Sequence, residues 1–195
     1  METETFLFFG QVGSGKGTQV KLLIDYLKAK DGKECVYAGT GDGFRSLLET
    51  KNYTASLVKD SLERGELQPD FLTTSIFTNI LTTSLNEDMH IFADGYPRTI
   101  AQSESFEKMV KFFKRGNVKI IYIELSEEEA MKRNLLRGRA DDTEEGLRRR
   151  FNEYKNSVLP AMNYFKEKEN YEIYTINGEQ SIEDVHKDII KSIAL

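Results

Sequence analysis

The sequence has 195 residues, of which 39% are hydrophobic and 30% are charged, a balance that excludes a disordered or low-complexity chain. No stretch approaches the ~20 consecutive apolar residues of a membrane span, and the formal net charge of −5 argues against general binding to nucleic acid. The single cysteine, Cys35, excludes an internal disulfide and favours a protein of the reducing cytoplasm.

Short apolar runs alternate with helical patterns along the chain. Residues 6–9 are continuously apolar, as expected for a strand buried on both faces. The next apolar residues, from Val20 to Leu27, share one face of a helix. Further strands are predicted at residues 35–38, 90–93, 118–125 and 171–176. This alternation predicts an α/β fold, a parallel five-stranded sheet with helices on both faces.

The connection between the second and third predicted strands is too long for a simple crossover. Residues 39–85 contain helical patterns, such as Leu72, Ile76 and Ile80, but no strand pattern. We therefore expect a helical insertion there. The core domain is expected to cover residues 1–38, 86–135 and 143–195.

A glycine-rich loop follows the first predicted strand and opens the first helix. Glycines allow successive backbone N–H groups to converge on an anion, and the helix N-terminus adds positive charge. A lysine supplies a mobile charge for the outer phosphates. This pattern predicts a nucleoside triphosphate site formed by Gly13, Ser14, Gly15, Lys16, Gly17 and Thr18.

A magnesium site is expected beside this loop. Gly17 occupies the position where a serine or threonine normally follows the lysine, so Thr18 has to supply the hydroxyl near Mg²⁺. Asp94 ends the third predicted strand and can hold the ion or its waters. We expect most of the ligands of Mg²⁺ to be phosphate oxygens and water.

Several further motifs follow in an order that resembles one enzyme family. They are Gly13–Gln19, Thr40–Asp42, Asp94–Thr99, Gln102 and Arg137–Asp142. Their order and spacing are similar to those of nucleoside monophosphate kinases of the adenylate kinase family. The resemblance implies a P-loop NTPase-type fold and reversible transfer from MgATP to AMP, which gives two ADP. The transfer would be direct and in line, without a covalent intermediate.

The acceptor site is read from the same resemblance. Arg98 follows the carboxyl end of a predicted strand and suits forked contact with a phosphate, whereas Gln102 would read the adenine edge. Asp42 is expected to cap the helix that carries Arg45. The implied AMP-binding residues are Thr40, Arg45, Glu66, Leu67, Gln68, Gly95, Tyr96, Pro97, Arg98, Gln102, Arg139 and Arg150.

Base selectivity remains open at two places. An apolar residue is usual in the family where this chain has Gln68, and two aliphatic residues are usual where it has Gly43 and Phe44. Thr40 and Gln102 nevertheless match the adenylate pattern. AMP is therefore the favoured acceptor, and UMP or CMP is the alternative.

A group of arginines surrounds the acidic segment after residue 138. Taken alone, these arginines are typical of a solvated basic surface. The resemblance instead places Arg133 and Arg137 on the donor nucleotide, and Arg139 and Arg150 on the transferring and acceptor phosphates, oriented by Asp141 and Asp142. The implied catalytic residues are Lys16, Arg98, Arg137, Arg139 and Arg150.

The lid of this chain is predicted to be minimal, residues 136–142, because only Gly138 separates Arg137 from Arg139. One cysteine and two histidines exclude the structural zinc of longer lids. Gln180 resembles the loop residue that lies near the donor adenine.

Two functions of other classes stay as alternatives: a catalytically idle nucleotide-binding protein and a GTP-hydrolysing switch. The chain lacks the Asn-Lys-x-Asp motif that reads guanine, and it keeps Lys16 and the arginines. We expect a monomer whose partners are ATP, AMP and ADP, with no nucleic acid and no membrane.

Overall fold

A twisted sheet lies at the centre of the computed structural model, which describes residues 3–138 and 142–194. Over these residues the sheet has five strands, all parallel, in the order β2-β3-β1-β4-β5. The strands are β1 Thr5–Phe9, β2 Cys35–Gly39, β3 His90–Asp94, β4 Val118–Glu124 and β5 Tyr171–Asn177. The predicted α/β fold with a five-stranded parallel sheet is confirmed.

Helices fill most of the chain between the strands. They are α1 Lys16–Asp31, α2 Thr40–Glu49, α3 Tyr53–Glu63, α4 Asp70–Ser84, α5 Ile100–Phe112, α6 Glu127–Arg137, α7 Glu144–Glu153, α8 Leu159–Asn163 and α9 Ile182–Ser192. A π-helical turn, Tyr154–Val158, joins α7 to α8. Across the described parts of the chain, no helix combines the length and the apolar character that crossing a membrane requires.

Both faces of the sheet are covered, which explains why residues 6–9 of β1 are all apolar. Side chains alternate along a strand, so Phe6 and Phe8 pack on one side with α1 and α9. Leu7 and Phe9 pack on the other side with α4, α5 and α8. Phe77 of α4 belongs to this second cluster, so the last helix between β2 and β3 is anchored in the main core.

The strand order brings the candidate motifs together at one edge. β1 lies between β3 and β4, and Phe8 of β1 is in register with Asp94 of β3. The loop after β1 and the turn after β3 are therefore neighbours at the carboxyl ends of the strands. Ligands of open α/β sheets bind at this edge.

Hydrogen bonds and ion pairs of Glu107 connect α5 to the segment that follows α8. Glu107 accepts hydrogen bonds from Lys111 Nζ (2.9 Å), Tyr164 OH (2.7 Å) and Lys168 Nζ (3.0 Å). These bonds, that from Lys111 most strongly, lower the pKa of Glu107 to about 2. A carboxyl group whose pKa is lowered by folding stabilises the folded state at pH values above the pKa that it has in the unfolded chain. This contribution is lost as the pH falls through the pKa that the group has in the folded protein.

We predict that Glu107→Gln destabilises the protein by about 1 kcal/mol at pH 7, because a mostly buried charged acceptor is lost. The difference from the parent chain should shrink as the pH falls from about 5 towards 2. Urea unfolding at several pH values measures this, with Glu104→Gln, exposed on the same helix, as the control. A difference that is independent of pH would contradict the assignment.

Candidate active site

The loop between β1 and α1 has a backbone that requires glycine. Gly13 has a φ of +86°, and a Cβ added there would lie 2.4 Å from Nδ2 of Asn134. Gly15 also has a positive φ and immediately precedes α1, which begins at Lys16. Left-handed backbone of this kind, leading into a helix N-terminus, is typical of anion-binding loops. The loop therefore lies in the context that the sequence predicts.

Lys16 folds back over this loop. Its Nζ donates to the carbonyl oxygens of Gly10 and Gln11, the latter at 3.1 Å, and lies 3.5 Å from Ser14 Oγ. Burial lowers the pKa of Lys16 to about 8; Asp94 opposes the shift, and the positive charges of Arg98 and Arg137 add to it. The ammonium is therefore close enough to both arginines for their charges to lower its pKa.

Asp94 lies beside the first turn of α1, opposite the loop. Its carboxylate accepts a hydrogen bond from Tyr37 OH at 3.2 Å, and burial raises the pKa of that phenol. A Cβ added at Gly17 would lie 4.0 Å from Asp94 Oδ2, and Thr18 follows Gly17 with its side chain exposed. A hydroxyl and a carboxylate beside a phosphate loop are the hard oxygen ligands that suit Mg²⁺.

The turn after β3 is organised around the carbonyl oxygen of Gly95. This oxygen accepts hydrogen bonds from Thr40 Oγ1 and from Arg98 Nε, both at 2.8 Å. Gly95 has a φ of +77°, and a Cβ there would lie 2.7 Å from Thr40 Oγ1. Thr40 and Arg98, which are far apart in sequence, are thereby brought together. Burial lowers the pKa of Arg98, which Asp94 opposes and Arg150 reinforces.

Gln102 is buried, with 1% of its surface exposed, and both ends of its amide are hydrogen-bonded. Oε1 accepts from the backbone N–H of Arg98 at 2.8 Å, and Nε2 donates to Asp70 Oδ1 at 2.7 Å. Gln102 is therefore not a solvated residue on a helix face. Tyr96 is also buried, and the centroid of its ring lies 4.3 Å from that of Phe77 in a stacked arrangement. Its side chain is therefore part of the core.

The residues of the insertion make mainly local contacts. Arg45 is exposed and forms an ion pair with Asp42 inside α2. The expectation that Asp42 caps this helix is wrong, because α2 begins at Thr40 and its N-cap, Gly39, has no side chain to accept a bond. Asp42 lies within the first turn instead.

The turn between α3 and α4 holds the three residues assigned to the adenine pocket. Glu66 is exposed and pairs with Arg64 through two hydrogen bonds of 2.8 and 2.9 Å. Gln68 is buried and is hydrogen-bonded to Ser61 Oγ, whereas Leu67 is half-buried. Pro97, on the other side of the proposed pocket, is buried.

Asp142 connects two of the arginines. Its carboxylate is fully buried and accepts two hydrogen bonds from Arg137, at 3.0 and 2.9 Å, while Arg150 Nη1 lies 3.4 Å away. A buried carboxylate that faces two guanidinium groups is the orienting arrangement expected for Asp142. Arg139 and Asp141, assigned to the same group, lie outside the described residues.

Arg133 lies on α6 beside the loop after β5. Its Nε donates to Glu129 at 2.8 Å, and its Nη1 donates to the carbonyl oxygen of Gly178 at 3.0 Å. Gln180, in the same loop, donates to Asn177 O and to Asp188 on α9. The two residues assigned to the donor base are thus on neighbouring elements, although the amide of Gln180 points to α9.

The electrostatic contacts join four positive side chains into one group at this edge of the sheet, which we call the cation cluster. Lys16 is coupled to Arg98 and Arg137, Arg98 to Arg150, and Arg137 and Arg150 share Asp142. The members of the cluster are Lys16, Arg98, Arg137 and Arg150.

Comparison with known proteins gives one family. Residues 8–170 match the family model for adenylate kinase. The adenylate kinase of Prochlorococcus marinus (strain AS9601) is 32% identical over 188 residues, which cover 96% of this chain and 97% of that protein. The adenylate kinase of Thermosipho africanus (strain TCF52B) is 30% identical over 218 aligned positions, with 96% and 98% covered. The chain belongs to the adenylate kinase family.

Membership of the adenylate kinase family confirms the resemblance drawn from the motifs. It supports reversible phosphoryl transfer between ATP and AMP and makes the protein a nucleoside monophosphate kinase. Neither the uridylate–cytidylate kinase nor the idle nucleotide-binding protein is favoured by the comparisons. The roles of individual residues in this protein stay predictions.

Sequence reasoning missed two polar residues that support the site. Asn134 is buried on α6, and its Nδ2 donates to Val12 O at 3.1 Å and to Ala130 O at 2.7 Å. The bond to Val12 connects the phosphate loop to α6. Its signal was a polar residue four positions after Ala130, on the buried stripe of α6. Asp70 gave no such signal, because an acidic residue after a proline is ordinary at the start of a helix.

We predict that the affinity for ATP falls at alkaline pH with an apparent pKa near 8, the value to which burial lowers Lys16. The protonated ammonium binds the phosphates, so above about pH 8 the affinity should fall up to about tenfold per pH unit. Calorimetric titration with ATP from pH 6.5 to 9.5 measures this. Lys16→Met should bind weakly and lack this pH dependence, and the exposed Lys21→Met should behave like the parent chain. A flat profile in the parent chain would refute the role of Lys16.

Proposed function

We propose that this protein converts MgATP and AMP into two ADP, and the reverse, by direct transfer between two nucleotides bound with their phosphates facing the cation cluster. The observation that carries the proposal is the placement of Lys16 on the phosphate loop and of Arg98 on the turn after β3, with Arg137 and Arg150 held by the buried Asp142. Phosphoryl transfer is catalysed mainly by positioning and by neutralising charge on the transferring group. A cluster of this kind provides both.

The reaction needs no protein nucleophile and no general base. The phosphate of AMP already carries oxygens that can attack the terminal phosphorus of ATP, and the bond to the leaving ADP breaks as the new bond forms. Arg98 and Arg150 would hold the attacking phosphate, with Arg139 beside them. Lys16 and Arg137 would hold the transferring group and the leaving phosphate.

The donor side is formed by the loop residues 13–18, Arg133, Arg137 and the Gly178–Gln180 loop. Thr18 and Asp94 would hold Mg²⁺ and its waters, and the ion supplies charge neutralisation on the donor phosphates. The backbone N–H groups of the loop orient the phosphates, and Arg133 would lie against the donor base.

The acceptor side is formed by the turn after β3 and by the insertion. Thr40 supports Gly95 and Arg98, Gln102 would read the base, and Arg45 would reach the monophosphate from α2. Glu66, Leu67 and Gln68, on the turn before α4, would line the adenine pocket through their backbone and the half-buried side chain of Leu67.

The segments that enclose the acceptor approach one another in this structure. Gly65, at the end of α3, lies where an added Cβ would be 3.3 Å from Gly146 O, and Arg149 Nε donates to Arg64 O at 2.7 Å. These contacts join the insertion (39–85) to α7 of the core. We expect the insertion and a minimal lid (136–142) to close over the substrates. Closure excludes water, and ATP is thereby protected from hydrolysis. We expect the enzyme to act as a cytoplasmic monomer.

Purified protein incubated with ATP and either AMP, UMP or CMP tests the proposal directly. We expect rapid formation of ADP from AMP, slower turnover of the pyrimidine monophosphates, and no turnover with Mg²⁺ removed. Lys16→Met should lose at least about 10²-fold in kcat, whereas Lys21→Met should keep the parent rate. Parent rates in Lys16→Met, or ADP formation without AMP, would refute direct transfer.

Replacing Asp142 tests the orientation of the cation cluster. We predict that Asp142→Asn lowers kcat about tenfold or more, because Arg137 and Arg150 lose the buried charge that aligns them. The KM for AMP should change less. Steady-state kinetics measures both values, and Glu145→Gln, which removes an exposed ion pair with Arg149 on the same helix, should change neither. A kcat equal to that of the control would show that Asp142 is dispensable.

A further inference from the structure

We propose that Asp70 is a specificity-determining residue, which selects the adenine base by fixing the orientation of the Gln102 amide. Asp70 lies in the first turn of α4, and Gln102 lies in the first turn of α5. The inference rests on the proposed function, because it assigns the base selection of the acceptor site to a residue that need not touch the nucleotide.

The two partners of the Gln102 amide leave only one orientation. The backbone N–H of Arg98 can only donate, so the atom that faces it at 2.8 Å is the oxygen Oε1. Asp70 Oδ1 is a carboxylate oxygen and accepts, so the atom that faces it at 2.7 Å is the nitrogen Nε2. A flipped amide would place a donor against a donor and an acceptor against an acceptor.

Thr99 fixes the carboxylate of Asp70 in turn. As the N-cap of α5, Thr99 Oγ1 accepts from the backbone N–H of Gln102 at 3.2 Å. Its own hydroxyl hydrogen is therefore available for Asp70 Oδ1, which lies 3.0 Å away. One carboxylate oxygen thus receives two hydrogen bonds, and the start of α4 is tied to the start of α5.

The hydrogen-bonding groups of the Gln102 amide that remain unused then determine which base fits. A glutamine amide has two acceptor lone pairs and two hydrogens. Arg98 and Asp70 use one of each, and one lone pair and one hydrogen remain. Adenine presents the complementary pair, an exocyclic amine that donates and a ring nitrogen that accepts. Hypoxanthine presents the reverse, a carbonyl oxygen and a ring N–H, so an amide held in this orientation should favour AMP over IMP.

The burial of Gln102 leaves a rival explanation. Because only 1% of its surface is exposed, a base can reach the amide only after the segment that covers it moves. A purely structural link between α4 and α5 would require the same hydrogen bonds. The two explanations differ in one property, since a structural link affects AMP and IMP equally.

The experiment compares AMP with IMP, which differ at the edge in question and carry the same ribose and phosphate. We expect Asp70→Ala to reduce the AMP:IMP ratio of kcat/KM at least about fivefold, mainly through the KM for AMP. Asp70→Asn is the matched variant, because it keeps one acceptor oxygen that can face Gln102 Nε2 and Thr99 Oγ1, while the charge and the second acceptor oxygen are lost. It should keep most of the preference.

A double-mutant cycle tests whether Asp70 acts through Gln102. In a Gln102→Ala background, Asp70→Ala should not change the AMP:IMP ratio further. An unchanged ratio in Asp70→Ala, an equal loss in Asp70→Asn, or additive losses in the double variant would each overturn the proposal. If Asp70→Ala does not fold by circular dichroism, Asp70→Ser, whose hydroxyl is too short to reach Gln102, replaces it with the same expectation.

Calorimetric binding of AMP and IMP separates this proposal from the proposed function. If the parent protein forms no ADP from AMP, the proposed function fails, whereas the ratio of the two dissociation constants still tests Asp70. If the parent protein turns over AMP and the ratio is unaffected by Asp70→Ala, only the role of Asp70 fails.

Discussion

Repulsion among like charges is the constraint that shapes this site. The cation cluster brings one ammonium and three guanidinium groups to one edge of the sheet from four different elements. Two unit charges 4 Å apart interact by about 4 kcal/mol at the effective dielectric near a protein surface, so the cluster needs negative partners. Asp142 and Asp94 supply two of them. These two carboxylates face four positive groups, so the charges of the cluster are not balanced by them alone. Nucleotide phosphates would complete the balance, because they add several negative charges where the protein has an excess of positive ones.

The parallel sheet makes this concentration of charge possible. Every strand ends at the same edge, and β1 lies between β3 and β4, so the phosphate loop and the turn after β3 meet although they are far apart in the sequence. The core beneath is apolar on both faces of the sheet, which keeps the strand ends fixed. Rigid strands with short, polar connections therefore hold the charged groups in place, at the cost of desolvating Lys16 and Arg98.

The sequence was informative where a local pattern determines the structure. The run 6–9, the glycines before Lys16 and the spacing of the arginines each follow from rules on strands, anion loops and helix faces, and they predict the sheet and the place of the site. It was uninformative where the partner of a side chain is distant in the chain. Asp70 looks like an ordinary helix-start residue, and its bond to Gln102 crosses 32 positions. Asn134 supports Val12 across 122 positions. Even the local prediction for Asp42 was wrong, since the N-cap of α2 is Gly39, three residues before Asp42.

The site also separates affinity from selectivity. Charge attracts every nucleoside monophosphate alike, because all of them carry the same phosphate, so the cation cluster cannot discriminate among bases. Discrimination requires groups whose donors and acceptors are fixed, because only a fixed pattern leaves a wrong base with unpaired polar atoms. The link from Thr99 through Asp70 to Gln102 has this property: each hydrogen bond in it has one possible direction. Because Arg98 donates its backbone N–H to the same amide while its guanidinium belongs to the cluster, the residue that would hold the phosphate also sets the orientation of the group that would read the base.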